Sequence, residues 1–380
     1  MKDRYCPLPW VAAHSWTGDV TPCCLWEDSG VIAESAEDAL HSDLFESIRS
    51  DMLNNKELKG CTQCYQFEAA GKKSRREDSI ERYGRPTEVT LKQMDIGFDN
   101  VCNLKCRGCQ SAASHLWYDD EIKMYGETIS PTKYWSYLAS SDVDKLERIH
   151  VAGGEPLLSK NFNTFANELL NSKNKTILEL SYDTNGTVLP KENILELVKN
   201  VGVLRVGVSI DGLYGLQDYF RSGSEFNDVI EKLNFYKSLK NDRTGQTILN
   251  IQITVNIYNV NTLPDMYDYF EKHHPEFTIN HRVLYWPEQL SIKNLPQDYK
   301  QKLLPLFTDS KFSDVLIELE SEGKNLFDHF LTFHNRLDQI RNEDLKDSNP
   351  MLSEYIRNYN KKEVDSQVFF RQQLNYLRDM

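Results

Sequence analysis

From about residue 90 onward the chain alternates short apolar runs with stretches of helical periodicity, and this alternation limits the available folds more than any other feature. The runs "TLKQMDIGF", "LERIHVAGG", "ILELSYDTNG", "VLRVGVSIDG", "TILNIQITVNIYN" and "FTINHRVLYWP" are rich in Val, Ile, Leu and aromatic residues. They end at Gly, Asn, Asp or Pro, as strands do. Between them, Ile194, Leu197 and Val198 share one helical face, and so do Phe226, Val229, Ile230, Leu233 and Tyr236. Strands alternating with helices predict an α/β fold of parallel βαβ units wound with one hand, either an open sheet or a partial barrel. Chemistry in such folds sits beyond the carboxyl ends of the strands. The segments "AGGEP", "DTNG" and "SIDG" fall where predicted strands stop, which gathers glycine and polar residues on that rim.

The cysteines narrow the chemistry. There are 8, namely Cys6, Cys23, Cys24, Cys61, Cys64, Cys102, Cys106 and Cys109, all near the amino-terminal end of a 380-residue chain. The start "MKDRYCPLPW" has no apolar secretory core, which predicts a cytoplasmic location. In that reducing compartment thiols serve as metal ligands or catalytic groups more often than as disulfides. The most apolar stretch, "VGVLRVGVSI", is broken by Arg205 and too short for a bilayer span, so no membrane association is expected. A formal charge of -13 argues against general nucleic-acid binding.

Residues 1–75 read as a small cysteine-bearing unit that needs metal to fold. Residues 76–89 follow as a linker, 90–290 as the α/β unit, and 291–380 as a polar helical extension. The charged stretch "GKKSRREDSIERYGRP" reads as a linker or exposed helix. Its basic run Lys72, Lys73, Arg75 and Arg76 is either a contact for an acidic partner or a solvated surface. In the tail, Val368, Phe369, Leu374 and Leu377 form a stripe expected to pack on the domain.

Cys102-x3-Cys106-x2-Cys109 follows directly on the first strand of the α/β unit. A structural zinc wants four ligands, and His115 is the only close candidate for the fourth. Three thiolates on one loop suit instead three irons of a cubane 4Fe-4S cluster, leaving one iron open. This motif after the first strand, with "GGEP" after the second, resembles the radical S-adenosylmethionine (radical SAM) enzymes over residues 90–285. The resemblance implies a partial (β/α)6 barrel of the TIM type, with the SAM amino and carboxylate groups chelating the open iron. It further implies one-electron cleavage of the sulfonium to a 5'-deoxyadenosyl radical, which takes hydrogen from an inert C–H bond.

Carried over position by position, Gly153, Gly154, Glu155 and Pro156 match the loop that receives the SAM amino group. Ser209 and Arg221, with Asp211 nearby, match the segment that holds its carboxylate, and Thr184 and Asn185 match the ribose side. Gly108 departs from the family pattern, which often has an aromatic residue there.

Cys6, Cys23, Cys61 and Cys64 resemble the ligand set of an auxiliary-cluster module, the twitch or SPASM domain, placed here before the barrel rather than after it. Cys24 is left as a small buried hydrophobe. The resemblance implies a second 4Fe-4S cluster that relays an electron; a zinc knob is the alternative for the same four thiols, and a zinc-stabilised scaffold protein is the alternative for the chain. The expected function is oxidation of a peptide or protein side chain or of a small molecule, with flavodoxin or ferredoxin as reductant. His281, Tyr285, His150 and Tyr182 lie near strand ends as acid–base candidates, with no choice among them.

Overall fold

The computed structural model describes residues 3–16, 18–69, 71, 73–128, 143–239, 244, 246–359, 368–369 and 371–372. Leu374, Leu377 and Lys72 therefore lie outside the described residues. The fold is built on one parallel seven-stranded sheet whose spatial order follows the chain. Its strands are β1 (Ala12–Ser15), β2 (Gln93–Gly97), β3 (Arg148–Ala152), β4 (Glu179–Thr184), β5 (Val203–Ser209), β6 (Thr247–Val255) and β7 (Thr278–Val283). The six apolar runs supply β2 to β7. The seventh strand comes from the cysteine-bearing start of the chain, where Ala12 to Ser15 pair in register with Gln93 to Ile96.

Helices cover one face of the sheet. In Phe226–Ser238 the buried residues are Phe226, Val229, Leu233 and Tyr236, and in Glu192–Asn200 they are Ile194, Leu197 and Val198, matching the periodicity of the sequence. Against them the strands turn Ile96, Val151, Tyr182 and Val206, which stand side by side in register. These belong to a single apolar cluster running from Ala13 to Leu352. Each such side chain contributes about 1.5–3 kcal/mol on burial.

The opposite face is polar. His14, Asp95, His150, Ser181 and Arg205 form one continuous row across β1 to β5. A parallel sheet buried on both faces is normally apolar on both, so this polar row marks the inside of a cup rather than a packed layer. The helix Arg75–Tyr83 closes the cup from the side. Ser74 caps it reciprocally with Glu77, and it buries Arg76 and Ser79. Arg75 pairs with Asp95, Arg82 lies 2.8 Å from Glu179, and Arg76 lies 2.8 Å from Glu68. The stretch read as a linker or exposed helix thus carries a docked helix, and three of its basic side chains, Arg75, Arg76 and Arg82, pair with internal carboxylates rather than with an external acidic partner.

The carboxyl-terminal region is also less polar than expected. Its helices Gln297–Leu303, Ser313–Glu320, Phe327–Arg341 and Pro350–Asn358 bury residues such as Tyr299, Leu303, Phe330 and Leu337. Phe369 packs against the same core. Among the described residues no helix is long and apolar enough to cross a membrane.

Candidate functional site

Because every strand is parallel, the loops that follow β2, β3, β4 and β5 meet at one rim, and the thiol triad lies there. The loop after β2 is held from two sides. On one side Gly154 N donates to the carbonyl of Asp99 at 3.1 Å and Glu155 N to that of Val101 at 2.7 Å. On the other, Lys105 N and Arg107 N donate to the carbonyls of Ser222 (3.1 Å) and Phe220 (2.7 Å). The loop also closes on itself, with Trp117 Nε1 bonded to the Cys106 carbonyl at 2.9 Å and Ser114 Oγ to that of Leu104 at 2.6 Å.

Cys102, Cys106 and Cys109 consequently form a small cluster with Leu104, and none is disulfide-bonded. A hydrogen bond between the thiols of Cys106 and Cys109 holds Cys106 low and raises Cys109, while burial pushes Cys102 up to about 12. Three N–H donors face the sulfurs: Leu104 N to Cys102 at 3.4 Å, Asn185 Nδ2 to Cys102 at 3.8 Å and Arg221 Nη1 to Cys106 at 3.9 Å. Donors of this kind suit thiolate ligands. Among the described residues no three His, Cys, Asp or Glu side chains converge on a single metal ion. A cubane makes a different demand, one thiolate for each of several irons around a larger group, and three neighbouring thiols on one loop suit that demand. His115 is engaged through Nδ1 by the Cys102 amide at 3.3 Å.

The other motif residues join this rim. Glu155 is buried, and its carboxylate accepts from Thr184 Oγ1 (2.9 Å), Asn185 N (2.7 Å) and Leu157 N (3.1 Å). Burial still raises it to about 7. Gly153 adopts a φ of 97°, and a Cβ on Gly154 would stand 2.3 Å from the Val101 carbonyl oxygen. The glycine pair therefore lets the β3 loop lie against the thiol loop. Pro156 opens the short turn that follows. Arg221 is forked onto Asp211, with its Nη2 2.7 Å from Oδ2, and Asp211 is fixed by Thr254 N at 2.7 Å. Ser209 ends β5 beside Gln252. Gly108 has a physical reason: a Cβ there would meet the Phe220 ring at 3.0 Å, so an aromatic side chain from the next motif already occupies that space.

The amino-terminal thiols form a second group. Cys6, Cys23 and Cys61 lie in one apolar cluster with Trp10 and Trp26. Burial raises Cys6 to about 12, and the neighbouring Cys61 and Cys64 add to the shift. Cys61, also raised by burial, feels Cys64 in turn. Cys24 stands apart. Expected as a buried hydrophobe, it has Arg75, Asp95 and Arg282 as its charged neighbours on the cup side.

The polar row carries further ionisable groups. His150 Nδ1 is 3.1 Å from Ser181 Oγ, and its Nε2 is 3.5 Å from Asp183. Asp183 keeps 38% of its side-chain surface accessible, yet burial raises its carboxyl. Solvent reaches this group, but protein surrounds it. At Asp95 the cost of burial is outweighed by Arg75, His150 and His14, and its carboxyl is held low. The remaining acid–base candidates are disposed differently. His281 is engaged on both ring nitrogens, by Tyr267 (2.6 Å) and Asp314 (3.0 Å). Tyr182 is buried on the helical face, and Tyr285 is 64% exposed. Arg107 escaped the sequence reading, and Arg75 was read there only as part of a basic run; each sits beside cysteines in the chain or in space, and charge flanking a thiol is the one signal that marks them.

Comparison with known proteins places these features. Residues 96–268 match the family model of the Radical SAM superfamily. A probable GTP 3',8-cyclase of Methanocaldococcus jannaschii is 28% identical over 189 residues, covering 50% of this chain and 57% of the relative. The GTP 3',8-cyclase of Helicobacter pylori is 25% identical over 238 residues, covering 60% and 66%. The chain thus spans little more than half the length of curated relatives it matches. Among solved structures, native anSMEcpe with bound AdoMet and Cp18Cys peptide aligns at 21% identity and a TM-score of 0.38, covering 61% of this chain and 63% of that one. SuiB of Streptococcus suis bound to precursor peptide SuiA aligns at 13% identity and a TM-score of 0.33, covering 90% and 80%. Superpositions this loose carry no weight for the substrate. The family match falls on the strands and loops that carry the thiol triad, and over residues 96–268 the chain is similar to the radical SAM superfamily.

Proposed function

We propose that Cys102, Cys106 and Cys109 hold the 4Fe-4S cluster that similarity to the radical SAM superfamily implies, and that SAM binds across the rim formed by Gly153 to Pro156, Thr184, Asn185, Ser209, Asp211 and Arg221. We further assign a second 4Fe-4S cluster to Cys6, Cys23, Cys61 and Cys64. When bound and reduced, these groups supply a 5'-deoxyadenosyl radical and an electron relay.

The chain's own residues do the rest. Asn185, Arg221 and the Leu104 amide stabilise thiolates by N–H···S contacts, and Asp211 fixes the Arg221 fork so that it faces the site. Glu155 ties the loops after β3 and β4 together, which fixes Asn185 over Cys102. The cup formed by the polar row limits access of bulk water and carries His150 with Asp183, a pair placed to hold a proton released during substrate oxidation. The substrate is a peptide side chain or a small polar molecule, and a flavodoxin or ferredoxin is the reductant. The relatives' GTP cyclisation supports radical chemistry here; carrying their substrate over would need the parts of those proteins outside the match.

The observation that carries this reading is the gathering of Cys102, Cys106 and Cys109 on one loop at the strand-end rim, with N–H donors from Leu104, Asn185 and Arg221 on their sulfurs. Anaerobic purification tests it. Brown protein with about eight irons per chain, four for each cubane, and 5'-deoxyadenosine released from SAM on addition of dithionite is the expected result. Colourless protein with stoichiometric zinc would instead identify a zinc-stabilised scaffold. Replacing Cys102, Cys106 and Cys109 together by Ala should remove about half the iron and all SAM cleavage, whereas retained cleavage refutes the site.

A further inference from the structure

We infer that the carboxyl-terminal helix Phe327–Arg341 is part of the cluster site, acting through Arg107, a positioning residue that sets the charge behind the thiol loop. This rests on the reading that the triad holds a cluster.

Arg107 lies between Cys106 and Cys109, where a loop residue would ordinarily reach into solvent. Its side chain is instead 0% exposed. A buried guanidinium is costly unless paired and hydrogen-bonded, and the pairing comes from the far end of the chain. Nη2 lies 2.5 Å from both Asp338 Oδ1 and Glu343 Oε2. Nε donates to the Tyr219 carbonyl at 3.1 Å, and the group stacks 3.7 Å above the Tyr219 ring. Burial works against the charge, but Tyr258, Tyr219, Asp338 and Glu343 together outweigh it.

The helix end is shaped for this contact. Asn342 takes a φ of 52°, and Glu343 N returns to the Asp338 carbonyl at 3.0 Å, which sets both carboxylates side by side. From the same turn, Arg341 reaches the other flank of the loop. Its Nε is 2.8 Å from Asp120 and its Nη1 2.9 Å from Ser222 Oγ, and its guanidinium lies 4.6 Å from the Trp117 ring, whose indole holds the Cys106 carbonyl. Residues 338–343 therefore grip the thiol loop at Arg107 and, through Trp117, at Cys106.

Arg107 faces the two carboxylates Asp338 and Glu343, while Arg341 and Lys105 share Asp120 on the other flank, so the grip is formally balanced and removing any one charge unbalances it. Local net charge and hydrogen bonds to the sulfurs set the potentials of iron–sulfur groups. Neutralising an acid should ease reduction, and neutralising Arg107 should oppose it.

The test is a spectropotentiometric titration of the intact, iron-loaded protein, read on the part of the EPR signal that changes when SAM is added. Glu343→Gln and Asp338→Asn should each shift the midpoint upward, and Arg107→Met downward. Arg107→Lys retains the charge but loses the fork; it should leave the midpoint near that of the unsubstituted chain while iron is lost several-fold faster to a chelator. It also serves if Arg107→Met does not fold. A merely structural brace would change iron retention without opposite shifts in potential, and unshifted or same-sign midpoints overturn the inference alone. Absence of any SAM-sensitive signal in the unsubstituted chain overturns the underlying reading with it.

Discussion

Gly154 separates two accounts of the GGEP segment. In one, its glycines exist so that backbone atoms can approach SAM; in the other, they let the β3 loop lie against the thiol loop. A Cβ at Gly154 would stand 2.3 Å from the Val101 oxygen, 2.7 Å from the Asn100 carbonyl carbon and 2.8 Å from the Val101 carbonyl carbon. All three are backbone atoms, so no side chain can swing aside, and Gly154→Ala must push the loop that begins at Asp99. Overpacking of this kind costs about 1–3 kcal/mol. The displacement falls one residue before Cys102. The expected outcome is a loss of that size in urea denaturation together with loss of about half the bound iron after anaerobic reconstitution. Gly215→Ala is the control, because the nearest atom to its Cβ is Ser348 Oγ at 3.6 Å. It should be neutral, or stabilising by up to about 1 kcal/mol through the unfolded state. Full iron content and unchanged stability in Gly154→Ala, with SAM binding alone reduced, would refute the packing argument.

Other outcomes follow from buried groups. Tyr182 carries a hydroxyl with no hydrogen-bond partner among the described residues, so Tyr182→Phe should stabilise by about 1 kcal/mol and leave SAM cleavage unchanged; lost cleavage would return this tyrosine to the chemistry. Leu180, fully buried in β4, should cost about 2–5 kcal/mol as Leu180→Ala, measured by thermal or urea unfolding. Burial, aided by Arg107, holds the His334 imidazole down to about 3 from an ordinary 6.5. The unfolded chain then binds the proton that the native state refuses, so stability present above pH 6.5 is lost as pH falls toward 3, by roughly 5 kcal/mol in full. His334→Gln should flatten that part of the pH profile of the urea midpoint, and an unchanged slope would contradict the assignment.

How much could be read in advance depended on whether the signal was local. Strands β2 to β7 were legible because each is a run of apolar or β-branched residues stopped by a turn former. "AAHS" is four residues without a β-branched side chain; it becomes β1 only because β2 offers an edge to pair with. The helix Arg75–Tyr83 carries a capping signature in Ser74 and Glu77, yet its charges look like those of a solvated linker. Their partners, Asp95, Glu68 and Glu179, are set by tertiary contact. The proposal of a metal centre rests on the spacing of the thiols. Spacing is silent about Arg107, whose carboxylate partners lie more than 200 residues away in the chain. Gly108 looked like a departure until Phe220 was seen filling the space beside it.

The central claim is that SAM docks on an iron left open by Cys102, Cys106 and Cys109. EPR of the dithionite-reduced protein with SAM labelled with nitrogen-15 at the amino group tests it most directly. A resolved hyperfine coupling to that nitrogen, absent in Cys106→Ala, is the predicted result; an iron-replete protein whose reduced signal neither changes nor couples on addition of labelled SAM would contradict it.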